Sequence, residues 1–144
     1  MRGRSGLAND TWESLLTAHA RVMKAYQAEP LWREISMREY DVLYALSKCD
    51  QPIRLSELNR NVLLSQPALS RMVDRLVGRG LITREADPTD GRGVRLGLSE
   101  LGREAQHRLG TRHAQSVTRA MTSRLTDAEM EQLEALCLKL AADA

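Results

Sequence analysis

Apolar residues recur along this chain mostly three and four positions apart, the spacing that gathers side chains on one face of an α-helix. The run SQPALSRMVDRLVGRG, residues 65–80, is the sharpest case: Leu69, Met72, Val73, Leu76 and Val77 share one face. The other face carries Gln66, Pro67, Ser70, Arg71, Asp74 and Arg75. Ser65 suits an N-cap, Pro67 is tolerated in the first turn, and Gly80 followed by Leu81 reads as a left-handed C-terminal stop. A polar face of this kind is most often only solvated. What it meets has to be read from its neighbours.

Capping boxes predict three further helix starts, at Asp10-Thr-Trp-Glu13, Ser36-Met-Arg-Glu39 and Thr126-Asp-Ala-Glu129. The first is expected to run from Asp10 until Pro30 ends it, with a stripe of Trp12, Leu15, Leu16, His19, Val22, Met23 and Tyr26. The second should reach about Lys48 and carry Tyr40, Leu43, Tyr44 and Leu46. The last places Met130, Leu133, Leu136, Cys137 and Leu140 on one side. Ser99 is expected to cap a long helix over 100–123 with Leu101, Ala105, Leu109, His113, Val117 and Met121 in line.

The pattern shortens in the centre. LSELNRNV, residues 55–62, predicts a brief helix, and the tight turn to Ser65 makes it and the quoted helix a helix-turn-helix. LITREA (81–86) and VRLGL (94–98) then read as β-strands around DPTDGRG, a turn expected to be tight at Asp90-Gly91 and to carry Arg92. The expected fold is therefore mainly α with a small β-hairpin: one domain over 1–144, with a winged helix-turn-helix at 53–98. The flanking segments, 1–52 and 99–144, hold the long helices.

Charge changes the picture of the centre. Residues 54–112 hold eleven basic and seven acidic side chains, a local excess of +4, whereas 1–53 are balanced at seven each. Eighteen of the 21 basic residues are arginine, the side chain suited to bidentate contact with phosphate or guanine. The second helix of a helix-turn-helix lies in the major groove. Gln66, Ser70 and Arg71 are thus the side chains expected to reach bases, Arg75 and Arg84 are equally suited to phosphates, and Ser65 and Pro67 at the helix start complete the expected DNA-binding set. Arg75 has an alternative, pairing with the wing aspartates. Arg92 is expected to enter a narrow minor groove, where negative potential is concentrated.

The recognition-helix segment SQPALSRMVDRLVGRGLITR (65–84) and the wing DPTDGRGVRLGLSELG (87–102) together resemble the MarR-type transcriptional regulators, a family named for multiple antibiotic resistance. The resemblance implies a ligand-responsive repressor. It would bind a pseudo-palindromic operator on double-stranded DNA as a homodimer clasped by the terminal helices. It also implies that Asp90 orients Arg92, and that a small aromatic or phenolic effector releases the DNA. On the helical stripes Trp12, Met23, Met37, Tyr40 and Tyr44 are candidate walls for such a ligand, and His19, Arg38 and His113 candidate partners for its carboxylate or phenolate. Asn59 departs from the family, many members of which have alanine there.

The chain lacks the G-x-S-x-G, P-loop and dinucleotide-binding patterns of common enzymes, so no catalytic role and no cofactor is expected. His107 and His113 are six apart on one helix and cannot share a metal. Cys49 and Cys137 form no framework, which with the absence of a signal-like or membrane-length apolar run predicts a cytoplasmic protein. Cys137 is expected to pack on its helix stripe, leaving Cys49 as the better reactive thiol. Two other readings stay open at this level: a winged helix used only for protein contact, and a thiol- or metal-responsive regulator of the same fold.

Overall fold

The structure, a computed structural model, describes residues 2–142, which divide into two compact units. One joins the residues up to Glu29 to those from His113 onward; the other spans Pro30–Arg112.

The Pro30–Arg112 unit holds the predicted reader. A 3₁₀ turn, Pro30–Trp32, precedes α2 (Met37–Ser47), β1 (Ile53–Arg54), α3 (Leu55–Asn59), α4 (Gln66–Gly78), β2 (Ile82–Ala86), β3 (Val94–Leu98) and the start of α5 (Glu100–Thr122). The Ser36 capping box forms in full, with Ser36 and Glu39 satisfying each other's backbone N–H groups at 3.1 and 2.9 Å. Leu69, Met72, Val73 and Leu76 of α4 are buried as the stripe predicts, against Leu43, Leu58 and Leu96 in one cluster. Each such leucine contributes about 1.5–3 kcal/mol on burial.

Helix α4 ends in a Schellman motif. Gly80 takes φ 76°, its N–H reaches the Val77 carbonyl at 2.9 Å, and the Leu81 N–H reaches Leu76 at 2.9 Å. The three strands form an antiparallel sheet in the order β1-β3-β2, with Ile82 opposite Leu98 and Ile53 opposite Leu96. The two-residue β1 is too short to show a period of two and was invisible in the sequence pattern.

Other expectations shift. The brief central helix, expected over 55–62, stops at Asn59, whose side-chain amide donates instead to the Leu64 carbonyl at 2.8 Å. That bond gives the departure at Asn59 a purpose: it pins the turn leading to α4. The tight two-residue tip expected at Asp90-Gly91 is a seven-residue loop, 87–93, closed by the Asp87 N–H on Gly93 and the Gly93 N–H on Asp90, both at 2.9 Å.

In the other unit α1 spans Arg4–Gln27 and α6 spans Asp127–Ala141. The capping box expected at Asp10 does not form. The helix starts six residues earlier, so Asp10 lies where the backbone N–H groups already have helical partners, and its carboxylate takes Arg2 at 2.8 Å. The Thr126 box of α6 does form. No residue of α6 is buried, and Leu133, Leu136, Leu138 and Leu140 are 38–65 % exposed. Cys137, expected to be packed, is exposed with them. Among the described residues no helix is long and apolar enough to cross a membrane.

Candidate nucleic-acid interface

Helix α4 presents its polar face outward. Ser65 caps it by accepting the Ala68 N–H at 3.3 Å, so its hydroxyl is held at the helix start. Gln66, Pro67, Arg71 and Arg75 are exposed and Ser70 is half-buried. Neither Arg71 nor Arg75 forms an ion pair or side-chain hydrogen bond among the described residues. The alternative for Arg75, pairing with the wing aspartates, is not what forms: Arg54 occupies them. Arg84 is less free than expected. It pairs with Asp74, tying β2 to α4.

The wing is built around Asp87, whose side chain is fully shielded. Its carboxylate accepts the Thr89 N–H at 2.9 Å, the Thr89 hydroxyl at 2.8 Å and Arg54 Nε at 2.7 Å, with an Arg95 guanidinium nitrogen at 3.4 Å. The two Thr89 bonds first, and Arg54 after them, hold the carboxyl far below the usual carboxylate range. Arg92 stands exposed beyond this base, its guanidinium without a protein partner among the described residues. Asp90 does contact Arg92, but at the backbone: its carboxylate accepts the Arg92 N–H at 3.0 Å. The expected orientation of the guanidinium by Asp90 is therefore corrected to a hold on the loop that carries it.

Arg54, Asp87 and Arg95 were missed as a set. Asp87 and Thr89 carried a local signal, since Asp-Pro-Thr is an Asx-turn sequence. Arg54 carried none, being 33 positions from Asp87.

A pH dependence follows. A carboxyl depressed in the folded chain adds stability that is complete above its unfolded pKa of about 3.9 and is lost as pH falls towards the folded value. Thermal unfolding of wild type and Asp87→Asn should therefore differ most above about pH 4 and converge in stronger acid. A gap that stays constant through the acid range would show that the Asp87 charge does not matter.

The effector candidates are divided between the units. On α2, Met37 and Tyr40 are buried, and the Tyr40 ring lies 5.4 Å from Trp32 and 6.0 Å from Tyr44. Burial raises the pKa of the Tyr40 hydroxyl, opposed by a hydrogen bond with Gln106. Arg38 reaches the Leu63 carbonyl at 3.4 Å, at the turn before α4. In the other unit His113 meets Tyr26 edge-on at 5.2 Å, Met23 is half-buried, and Trp12 and His19 are exposed on α1.

A helix-turn-helix with an unpaired basic face, followed by a hairpin that offers another free arginine, defines a winged-helix DNA-binding protein. The sequence model of the MarR family matches residues 35–94. The chain is 32% identical over 107 residues to the multiple antibiotic resistance protein MarR of Salmonella typhimurium, covering 74% of each. Its structure is similar to AbsC, a MarR family transcriptional regulator from Streptomyces coelicolor, with TM-score 0.80 at 22% identity over 98% of this chain and 95% of that one. It is also similar to a mutant MarR from E. coli complexed with operator DNA, with TM-score 0.71 at 28% identity over 89% and 94%. The chain belongs to the MarR family: it is a transcriptional regulator and not an enzyme.

Proposed function

We propose that the chain is a repressor that binds a pseudo-palindromic operator as a homodimer, one recognition helix in each half-site. Gln66, Ser70 and Arg71 face the bases, with Ser65 and Pro67 setting the start of the helix; Arg75 and, in exchange with Asp74, Arg84 take phosphates. Arg92, on a loop held by Asp90, enters the minor groove. The observation that carries this reading is the set of three exposed arginines on α4 and the wing, Arg71, Arg75 and Arg92, whose side chains have no protein partner among the described residues. The relative complexed with operator DNA supports it. The exposed leucines of α6 support the dimer.

A retardation assay on the gene's own upstream region tests the reading. Arg92→Ala should weaken binding by about 1–3 kcal/mol. Binding as tight as wild type would remove Arg92 from the interface.

The same proposal includes release of DNA by a small aromatic acid. The neighbouring rings of Trp32, Tyr40 and Tyr44, of which Tyr40 is buried and Tyr44 exposed, are candidate walls within the Pro30–Arg112 unit; within the other unit His19 and His113 are separate candidates for an anion contact. Salicylate-like acids should dissociate the wild-type complex and act more weakly on His19→Ala or His113→Ala. Equal release from all three proteins would take both histidines out of the site.

A further inference from the structure

A groove-inserting arginine on a seven-residue loop is useful only if the loop is already ordered, because ordering it on binding costs affinity. We propose that Arg54, on the short strand β1 and distant in sequence from the wing, is the positioning residue that orders it. This rests on the reading of Arg92 given under Proposed function.

Arg54 sits at the N-cap position of α3, where its donor-only guanidinium cannot cap the helix, and its side chain reaches the wing. Its Nε binds Asp87 at 2.7 Å, its terminal nitrogen binds the same carboxylate, and that nitrogen also lies 3.9 Å from Asp90. Asp87 begins the loop, and Asp90, at its tip, accepts the Arg92 N–H at 3.0 Å. One guanidinium thus joins base to tip, and the tip carboxylate holds the backbone of Arg92. At the far end of the loop, Gly93 is packed so closely that an added Cβ would lie 3.3 Å from the same Arg54 nitrogen.

The electrostatics of the sheet favour the arrangement. Arg54 and Arg95 are direct cross-strand partners on β1 and β3, a like-charge pair that opposes strand pairing when nothing lies between them. Asp87 supplies the counter-charge to both, so the clamp that orders the wing also permits the sheet that carries it. Lysine cannot replace Arg54 here: a single ammonium lacks the planar fork that bridges two carboxylates.

The test is a double-mutant cycle of Arg54→Met and Arg92→Ala, read by fluorescence anisotropy on a duplex that the wild-type protein has selected from a random pool. Arg54→Met keeps the alkyl stem and should weaken binding about tenfold in the wild-type background but leave Arg92→Ala almost unchanged. Arg54→Lys should recover little of the loss. If Arg54→Met impairs folding, Asp90→Ala, at the exposed loop tip, is expected to give the same cycle. Equal losses in both backgrounds, or no loss from Arg54→Met, overturn the clamp. Arg92→Ala binding like wild type overturns the groove reading, and the clamp falls with it.

Discussion

Gly102→Ala is expected to destabilise the chain by about 3 kcal/mol, lowering the unfolding temperature on the order of 10 °C. Gly102 lies in the first turn of α5, and a Cβ there would overlap the Leu81 carbonyl oxygen and come within 3.0 Å of the carbonyl carbon. Neither partner is free to yield. The Leu81 N–H is fixed on Leu76 at 2.9 Å as part of the cap of α4, and the Leu81 carbonyl accepts the Ser99 N–H at 3.1 Å. Ser99 in turn accepts the Gly102 N–H at 2.9 Å and donates to the Gly80 carbonyl. The junction therefore joins the end of the recognition helix, the start of the wing and the start of α5 through backbone groups and the Ser99 hydroxyl. Gly78→Ala, where a Cβ meets open space, serves as the control and should lose no stability. If the two variants melt alike, the close approach at Gly102 is not structurally important.

The second large effect is expected on α6. Leu133, Leu136 and Leu140 fall at i, i+3 and i+7, so they line one face, and all three are exposed in the single chain. If a second copy covers this face, Leu136→Glu with Leu140→Glu places two carboxylates where apolar contact is required. The variant should be a monomer by light scattering. Its operator affinity should fall by a factor of 10²–10⁴, because the two half-sites are no longer read by one linked molecule. The fold itself should survive, since no residue of α6 is buried in the chain. A dimer of unchanged mass would place the interface elsewhere.

The parts that were legible in the sequence are those with local causes. Helix α4 is written in its own residues: a capping serine, an apolar stripe, then Gly80 and Leu81 in a Schellman stop. The two wing strands were likewise marked by β-prone runs around turn residues, and they appear at 82–86 and 94–98. The same local reading misled at Asp10, because a capping-box pattern does not reveal that Arg4–Asn9 are already helical. It overextended the central helix because the competing bond, from Asn59 to the Leu64 carbonyl, depends on how the following turn folds.

The site was legible to the same limit. The exposed residues of α4 and Arg92 follow from helix periodicity and turn position. The ion pairs that commit Arg84 to Asp74 and Arg54 to Asp87 join side chains that no period relates. Asp90 could be recognised as part of the wing motif, but only the folded loop shows that it holds the backbone of Arg92.

The measurement that bears most directly on the central claim is the mass of the protein–DNA complex in solution, on a duplex carrying both half-sites of the selected pseudo-palindrome and on a duplex carrying one. The account predicts two chains on the full duplex, with half-site centres about one helical turn (roughly 10 bp) apart, and much weaker binding to the single half-site. One chain per duplex, or equal affinity for the full site and the half-site, would contradict it.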